Sequence, residues 1–329
     1  MMSVSKDELS FRSAIKEAID EELAADDNVI FFGEDVAEAG GVFAATPGLR
    51  DKYGDERVFD TPISELALAS AAFGSAVAGL RPIVEIMFAD FLFLAMDSLI
   101  NQSAKYWYLS NEQKSIPLVV RSAVGGGVGF GPIHSQVPIS WFLGVPGLKI
   151  VAPSTPNDAK RLLKAAIRDE NPVLFFEHKA LYSTTEIREE ITGVDILGKG
   201  RIVRDGSDIT LVSCMRGVAD CLEAAQLLSG IGISAEVLDL RSLRPMDSAM
   251  IQQSFSKTKS LLVVEEGPIT GGWAGEVIAI ANEVNEGNGK KLWRMATEDR
   301  PIPFSPVLEN AFFPSARSIF ESVRERHAK

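Results

Sequence analysis

Segments with a helical pattern alternate with short apolar segments along the whole chain. In the first half, strands are predicted at residues 29–32, 82–87, 117–121, 148–152 and 173–176. Helices alternate with these strands and are predicted at residues 10–23, 91–109 and 156–168. Continuous apolar strands that alternate with helices are typical of parallel sheets covered by helices on both faces. The sequence therefore predicts an α/β fold with a doubly wound parallel sheet.

A polar, turn-rich segment at residues 183–200 separates this half from a second alternating pattern. Strands are predicted there at residues 201–204, 209–212, 235–238, 261–265 and 292–295. Between the first two of these, Asp205-Gly206 predicts a hairpin turn. A chain of 329 residues is long enough for two domains. We therefore predict an N-terminal domain at residues 1–185 and a smaller C-terminal α/β domain at residues 186–329.

The composition argues against several classes of partner. The net charge is −12 at pH 7, and so acidic a chain does not favour nucleic acid. No run of 18 apolar residues is present, so no membrane span is predicted. The first residues resemble neither a signal peptide nor an Arg-rich transit peptide. The two cysteines, Cys214 and Cys221, predict neither a disulfide framework nor a metal site, and we expect a cytoplasmic protein.

Two glycine-containing segments resemble phosphate-binding motifs but lack a required residue. Residues 193–199 match most of a Walker A loop, but Gly200 stands where Ser or Thr must bind magnesium. Residues 125–131 contain five glycines in seven positions, yet no frame gives the G-x-G-x-x-G dinucleotide pattern. We therefore predict no nucleotide site from either segment.

Glu65 stands directly before a segment that contains no charge, residues 66–78. A helix that is apolar on all sides is normally buried, so Glu65 is expected to enter the interior with it. A buried carboxylate needs a partner or a raised pKa. The alternative is that Glu65 is a first-turn acid that complements the helix dipole.

Other polar groups follow predicted strands, where open α/β sheets bind their ligands. Glu34 follows the first strand, and His134 lies in a glycine-rich loop after the strand at 117–121. A His in such a loop can titrate near neutral pH, although a loop His is more often structural or merely exposed. An acid in the position of Glu34 is likewise part of a solvated loop in most proteins. Met87 and Phe91 lie at a strand-to-helix junction, where they either pack in the core or grip a flat ligand. Asp169 and the carbonyls of the preceding helix end provide either an ordinary helix terminus or oxygen ligands for a hard cation.

Taken together, these segments resemble one family over nearly the whole chain. The sequence is similar to the beta subunit of the thiamine diphosphate-dependent, decarboxylating component of 2-oxo acid dehydrogenase complexes, nearest to the pyruvate type. The stretches that carry the resemblance are Phe32-Gly-Glu-Asp-Val36, Arg57-Val-Phe-Asp-Thr-Pro-Ile-Ser-Glu65, Gly79-Leu-Arg-Pro82, His134-Ser-Gln136, Pro146-Gly-Leu-Lys149, Ala165-Ala-Ile-Arg-Asp169, Glu236-Val-Leu-Asp-Leu-Arg-Ser-Leu-Arg-Pro245 and Ser256-Lys-Thr258.

The resemblance implies a role for each candidate residue. Glu65 would hydrogen-bond a ring nitrogen of the cofactor's aminopyrimidine and favour the tautomer that removes the proton from the thiazolium carbon. Glu34 would belong to an acidic route between paired active sites. The apolar side chains of Ile63, Met87 and Phe91 would pack on the pyrimidine ring. His134 would lie at the mouth, where the substrate and the lipoyl group arrive.

The resemblance also implies metals and partners. A structural potassium site would fall on five residues, partly through backbone oxygens: Leu118, Ala166, Ile167, Asp169 and Asn171. The family's alpha subunit binds the diphosphate and magnesium with a Gly-Asp-Gly motif, which this sequence lacks. We therefore expect half an active site, completed in an assembly of two alpha and two beta subunits. A lipoyl-bearing dihydrolipoamide acyltransferase is expected as a second partner.

Three alternatives stay open at this point. The substrate is either pyruvate, a branched-chain 2-oxo acid or acetoin, and Ile133 departs from the larger or polar residue that most family members have there. A C-terminal subunit of a split transketolase shares both domain types, but such chains usually have Gly-Ile-Ala-Glu-Gln around the acid where this one has Thr-Pro-Ile-Ser-Glu. A non-catalytic assembly subunit would not need Glu65 and His134.

Overall fold

The computed structural model describes residues 7–190, 193, 195–285 and 289–327. Its strands are β1 (Glu8–Ser10), β2 (Val29–Gly33), β3 (Val58–Asp60), β4 (Arg81–Phe88), β5 (Val119–Val124), β6 (Lys149–Val151), β7 (Val173–His178), β8 (Thr185–Ile187), β9 (Arg201–Arg204), β10 (Ile209–Ser213), β11 (Ala235–Asp239), β12 (Ser242–Arg244), β13 (Ser260–Pro268) and β14 (Lys291–Thr297). Its α-helices are α1 (Phe11–Ala25), α2 (Leu49–Tyr53), α3 (Glu65–Val77), α4 (Tyr106–Leu109), α5 (Ile139–Leu143), α6 (Pro156–Arg168), α7 (Arg216–Ser229), α8 (Ser248–Lys257), α9 (Ala274–Asn282), α10 (Pro306–Phe312) and α11 (Ala316–His327). Within the described ranges, no helix combines the length and the apolar character needed to cross a membrane.

The chain forms two compact units. The first contains Met1–Val124 and Gly144–Leu197, and the second contains Gly125–Leu143 and Gly198–Lys329. This division differs from the predicted continuous ranges 1–185 and 186–329, because the glycine-rich segment after β5 belongs to the second unit. Four glycines of that segment have positive φ, a conformation that lets the chain turn away from a strand direction at no steric cost.

In the first unit, six strands form a parallel sheet in the order β6-β7-β5-β4-β2-β3. All five predicted strands of this half are present, and α6 has the predicted bounds. The strands are mostly apolar because both faces are covered: β2 and β5 are buried along their whole length. A small antiparallel pair, β1 with β8, lies outside this sheet. The predicted α/β fold with a parallel sheet is confirmed.

The predicted single helix at residues 91–109 is wrong. The structure has a 3₁₀ helix at Ala89–Ala95, a π-helix at Asp97–Ser103 and the short α4. Two hydroxyl contacts accompany the wider turns: Ser103 donates to the Ser98 carbonyl at 2.8 Å, and the Ser70 and Ser98 hydroxyls lie 2.7 Å apart. Serine hydroxyls that bond nearby backbone compete with regular α-helical pairing.

In the second unit, five strands form a sheet in the order β14-β13-β10-β11-β9. The predicted hairpin of residues 201–204 with 209–212 is wrong, because β9 pairs antiparallel with β11, whereas β10 lies between β11 and β13. Gly206 passes against the start of β11, where an added Cβ would lie 2.1 Å from the Glu236 nitrogen. The Asp205-Gly206 pair therefore lies where two backbone segments pass close together, and it does not form a two-residue hairpin turn.

Candidate active site

The carboxyl ends of β2, β3 and β4 carry the acidic candidates of the first unit. The chain runs from β2 to its neighbour β3 and then crosses to β4 on the other side of β2. A reversal of this kind is the topological switch point, where open α/β sheets bind ligands. Glu34 follows β2, Glu65 begins α3 after β3, and Met87 lies near the end of β4.

Asp60 and Thr61, at the end of β3, form hydrogen bonds with the segment at the end of β2. The Asp60 carboxylate accepts the backbone N–H groups of Ala37 at 2.8 Å and Glu38 at 3.0 Å. The Thr61 N–H donates to the Gly33 carbonyl at 2.9 Å. These bonds hold the segment after β2 against the segment after β3. The sequence analysis did not assign this role, because the partners of Asp60 lie 22 and 23 residues away in the chain.

Glu34 and Glu65 form a pair of buried acids at this edge. Glu65 is the first residue of α3, whose N-cap Ser64 accepts the N–H of Ala67. The two acids are only 6% and 7% exposed. Burial, followed by the charges of Glu65 and Asp35, raises the pKa of the Glu34 carboxyl. Its Oε1 is buried with no hydrogen-bond partner among the described residues, so a ligand with an N–H donor fits the pair.

The apolar candidates Ile63, Met87 and Phe91 are exposed or only half-buried in the same unit. Ile63 is 79% exposed, although it is a large aliphatic side chain. Met87 and Phe91 are both half-buried, and Phe91 packs edge-on against Phe88 with the ring centroids 6.0 Å apart. An aromatic ligand would cover such surface.

His134 lies in the second unit and is half-buried. Its backbone N–H donates to the Gly131 carbonyl at 3.5 Å, and the backbone N–H of Gly125 donates to the Gln136 carbonyl at the same distance. Beside it, a cavity of about 430 Å³ is lined mainly by apolar side chains, with Ile133, Trp141 and Phe312 among them. The neighbours of His134 in the chain, Ile133 and Gln136 among them, therefore line an apolar cavity.

The predicted potassium ligands lie around Asp169, which ends α6. Its Oδ1 accepts the backbone N–H and the side-chain amide of Asn171, at 2.9 and 3.0 Å. Its Oδ2 pairs with the Lys149 ammonium at 2.5 Å. Both carboxylate oxygens therefore already have donors.

Three backbone carbonyls of this predicted site also accept one N–H each. The carbonyls of Leu118, Ala166 and Ile167 take N–H groups from Val173, Asp169 and Arg81, respectively. A carbonyl oxygen has two lone pairs, so each retains one for a cation. Arg81 and Lys149 place positive charge against the Ile167 carbonyl and the Asp169 carboxylate, so a cation bound here would have to share these oxygens with two groups of like charge.

Comparisons with known proteins decide the family. Residues 7–185 match the transketolase pyrimidine-binding domain family, and residues 198–319 match the transketolase C-terminal domain family. The chain is 42% identical over 323 residues to the mitochondrial pyruvate dehydrogenase E1 component subunit beta of Caenorhabditis elegans, covering 96% of this chain and 92% of the relative. The chain belongs to the family of 2-oxo acid dehydrogenase E1 beta subunits. The predicted resemblance is confirmed.

Other relatives refine this picture of an E1 beta subunit. The 2-oxoisovalerate dehydrogenase subunit beta of Bacillus subtilis is 43% identical over 322 residues, which cover 96% of this chain and 98% of that one. A solved split-gene transketolase, described as an inactive beta4 tetramer, has a TM-score of 0.77 at 22% identity and covers 96% of this chain and 97% of its own. At that identity the likeness concerns the fold alone. The relatives at 42% and 43% identity are dehydrogenase subunits, so the split-transketolase alternative is not favoured.

Proposed function

We propose that this chain is the beta half of an E1 enzyme that decarboxylates pyruvate, or a closely related 2-oxo acid, and passes the acyl group to a lipoyl group. The observation that carries the proposal is the Glu34–Glu65 pair, because two buried acids and an unpartnered oxygen lie at the switch point of the sheet. The names of the relatives support the reaction class, since they are pyruvate and 2-oxoisovalerate dehydrogenase subunits.

In this function, Glu65 holds and shares a proton. When bound, thiamine diphosphate supplies an electron sink at its thiazolium ring. A carboxylate as buried as Glu65 is costly when charged and alone, so a proton shared with a ring nitrogen of the aminopyrimidine makes the site tolerable. Glu34, with its raised pKa, is suited to carry a proton along an acidic route between paired sites. Ile63, Met87 and Phe91 offer apolar surface for the pyrimidine ring.

His134 serves acyl transfer in this proposal. Loss of carbon dioxide leaves two electrons that reduce the S–S bond of the lipoyl ring. One sulfur bonds the acyl carbon, while the other leaves as a thiolate and takes a proton. An imidazole is suited to give that proton near neutral pH. His134→Ala should nearly abolish lipoamide acylation and spare much of the decarboxylation measured with an artificial electron acceptor. Equal losses in the two assays would remove the transfer role.

The proposed partners are an alpha subunit, in an assembly of two alpha and two beta chains, and a lipoyl-bearing dihydrolipoamide acyltransferase. The alpha subunit would hold magnesium and the diphosphate, because this sequence has no Gly-Asp-Gly. We also propose structural potassium at Asp169 and the neighbouring carbonyls. Its support is that the oxygens of Ala166, Ile167 and Asp169 all lie at the end of α6.

Titration calorimetry with an alpha subunit tests the function. The isolated chain should bind thiamine diphosphate and magnesium weakly, and binding should tighten after mixing with alpha. The mixture should then decarboxylate pyruvate faster than a branched-chain 2-oxo acid or acetoin. Tight, magnesium-dependent binding by the isolated chain would contradict the shared site. Transfer of ketol units between sugar phosphates would favour the split transketolase.

A further inference from the structure

Glu309 is a buried acid that the proposed chemistry does not use. It lies on α10 in the second unit and is 1% exposed. Its Oε2 accepts the backbone N–H of Gly129 at 3.0 Å, across 180 residues of chain. Its Oε1 is buried and has no hydrogen-bond partner among the described residues. An acid buried in this way is costly unless its position serves a purpose.

Two aromatic side chains beside α10 pack on the same glycine loop. A Cβ at Gly126 would lie 2.0 Å from the Phe313 ring, and a Cβ at Gly131 would lie 2.3 Å from the Phe304 ring. Both distances are far below van der Waals contact, so these two positions require glycine while the rings stay in place. The loop therefore touches α10 and its flanks at three points: Gly126, Gly129 and Gly131.

We propose that Glu309 is a positioning residue, which fixes the glycine loop through the Gly129 N–H and thereby holds His134 in place for acyl transfer. This inference rests on the transfer role given to His134 under the proposed function. Glycines have the widest backbone freedom of all residues, so a loop with five of them needs an outside anchor to hold one conformation. The Gly129–Glu309 bond supplies a polar anchor, because the Phe304 and Phe313 contacts restrict the loop without fixing a hydrogen-bonding direction.

The chain offers graded variants and a matched control. Glu309→Gln keeps an oxygen acceptor for Gly129, Glu309→Asp withdraws the carboxylate by one methylene, and Glu309→Ala removes the acceptor. Glu236→Gln is the control, since Glu236 is equally buried in the second unit. Its partners are Ser254 and Lys257, neither of which belongs to the loop. A merely structural loss of stability should affect the control and the Glu309 variants alike.

Two measurements on the assembled enzyme test the proposal. The first is amide hydrogen exchange of the peptide that covers residues 125–137. The second is the ratio of lipoamide acylation to decarboxylation with an artificial acceptor. For Glu309→Ala and Glu309→Asp, exchange should become roughly 10-fold faster and the ratio should fall roughly 10-fold, as expected for the loss of one buried hydrogen bond. Glu309→Gln should stay within about 3-fold of wild type on both, and Glu236→Gln should change neither.

Unchanged loop exchange in both Glu309→Ala and Glu309→Asp would overturn the anchor. An equal fall in the two half-reactions would overturn the link to His134, as would an equal change of the ratio in Glu236→Gln. If the wild-type enzyme does not acylate lipoamide at all, the proposed function fails, while the exchange measurement still decides whether Glu309 holds the loop. Should Glu309→Ala not fold, Glu309→Asp and Glu309→Gln provide the same comparison.

Discussion

Two groups of buried acids in the first unit have opposite surroundings. Glu85 and Glu177 share the guanidinium of Arg121, which donates to Glu177 at 2.7 and 2.9 Å and to Glu85 at 2.6 Å. At Glu34, by contrast, burial and then the charge of Glu65 raise the pKa of the carboxyl, and its Oε1 has no partner in the described part of the chain. Removing the cation from a buried ion pair costs stability, whereas the unpartnered oxygen of Glu34, at the switch point of the sheet, makes this acid a candidate ligand-binding group.

The ion-paired group of Glu85, Arg121 and Glu177 lies within the sheet of the first unit. Glu85, Arg121 and Glu177 lie on the adjacent strands β4, β5 and β7. The Tyr182 hydroxyl adds a bond to Glu177 at 2.9 Å. Burial raises the pKa of Tyr182, as does the charge of Glu177, and the phenol therefore remains a donor. This network is a structural crosslink among three strands, and its removal should affect folding before chemistry.

Arg121→Met should give the largest effect on stability. It leaves Glu85 and Glu177 buried without a cation, which costs about 3–5 kcal/mol in the free energy of unfolding. The matched control is Arg188→Met, because Arg188 pairs with Glu17 through two nitrogens but is 38% exposed. That control should lose about 1 kcal/mol or less. Equal losses in urea denaturation would contradict the distinction between the two environments.

Potassium should have the intermediate effect on thermal stability. It tests whether oxygens that already accept N–H groups can also bind a cation. Tm in potassium buffer should exceed Tm in tetramethylammonium buffer by about 2–4 °C, the shift expected from roughly 1 kcal/mol. Activity per folded molecule should not change. Asp169→Asn should remove the difference. Identical Tm values for the wild-type chain in the two buffers would argue against the site.

Glu34→Gln should have the smallest effect on thermal stability, and it should raise Tm instead of lowering it. The folded-state pKa of Glu34 is raised above 4.5, so its stabilising contribution is complete below that pH and is lost as pH rises through the raised value. At pH 7.5 the variant without cofactor should therefore melt about 1–3 °C above wild type, and the gap should close near pH 4.5. Glu177→Gln should instead lower Tm at pH 7.5. A lower Tm for Glu34→Gln would mean that Glu34 has a stabilising partner.

The sequence was informative wherever a site residue follows its own strand or opens its own helix. The burial of Glu65 could be predicted because it precedes an uncharged helix, and the place of Glu34 at the end of β2 could be predicted because it follows an apolar strand. The bond of Gly129 to Glu309 could not, because pairing across 180 residues leaves no local pattern. The same holds for β9, whose neighbour β11 is set by tertiary packing although Asp205-Gly206 locally favours a hairpin.

The most direct test of the account is hydrogen exchange at the thiazolium carbon of thiamine diphosphate, measured in the assembled enzyme with wild-type and Glu65→Gln beta chains. Glu65→Gln removes the group that shares a proton with the ring nitrogen while keeping its shape. The account predicts a normally folded variant whose exchange rate falls roughly 10²- to 10⁴-fold, the range of general acid–base contributions. An exchange rate above about half that of wild type would contradict the role given to Glu65.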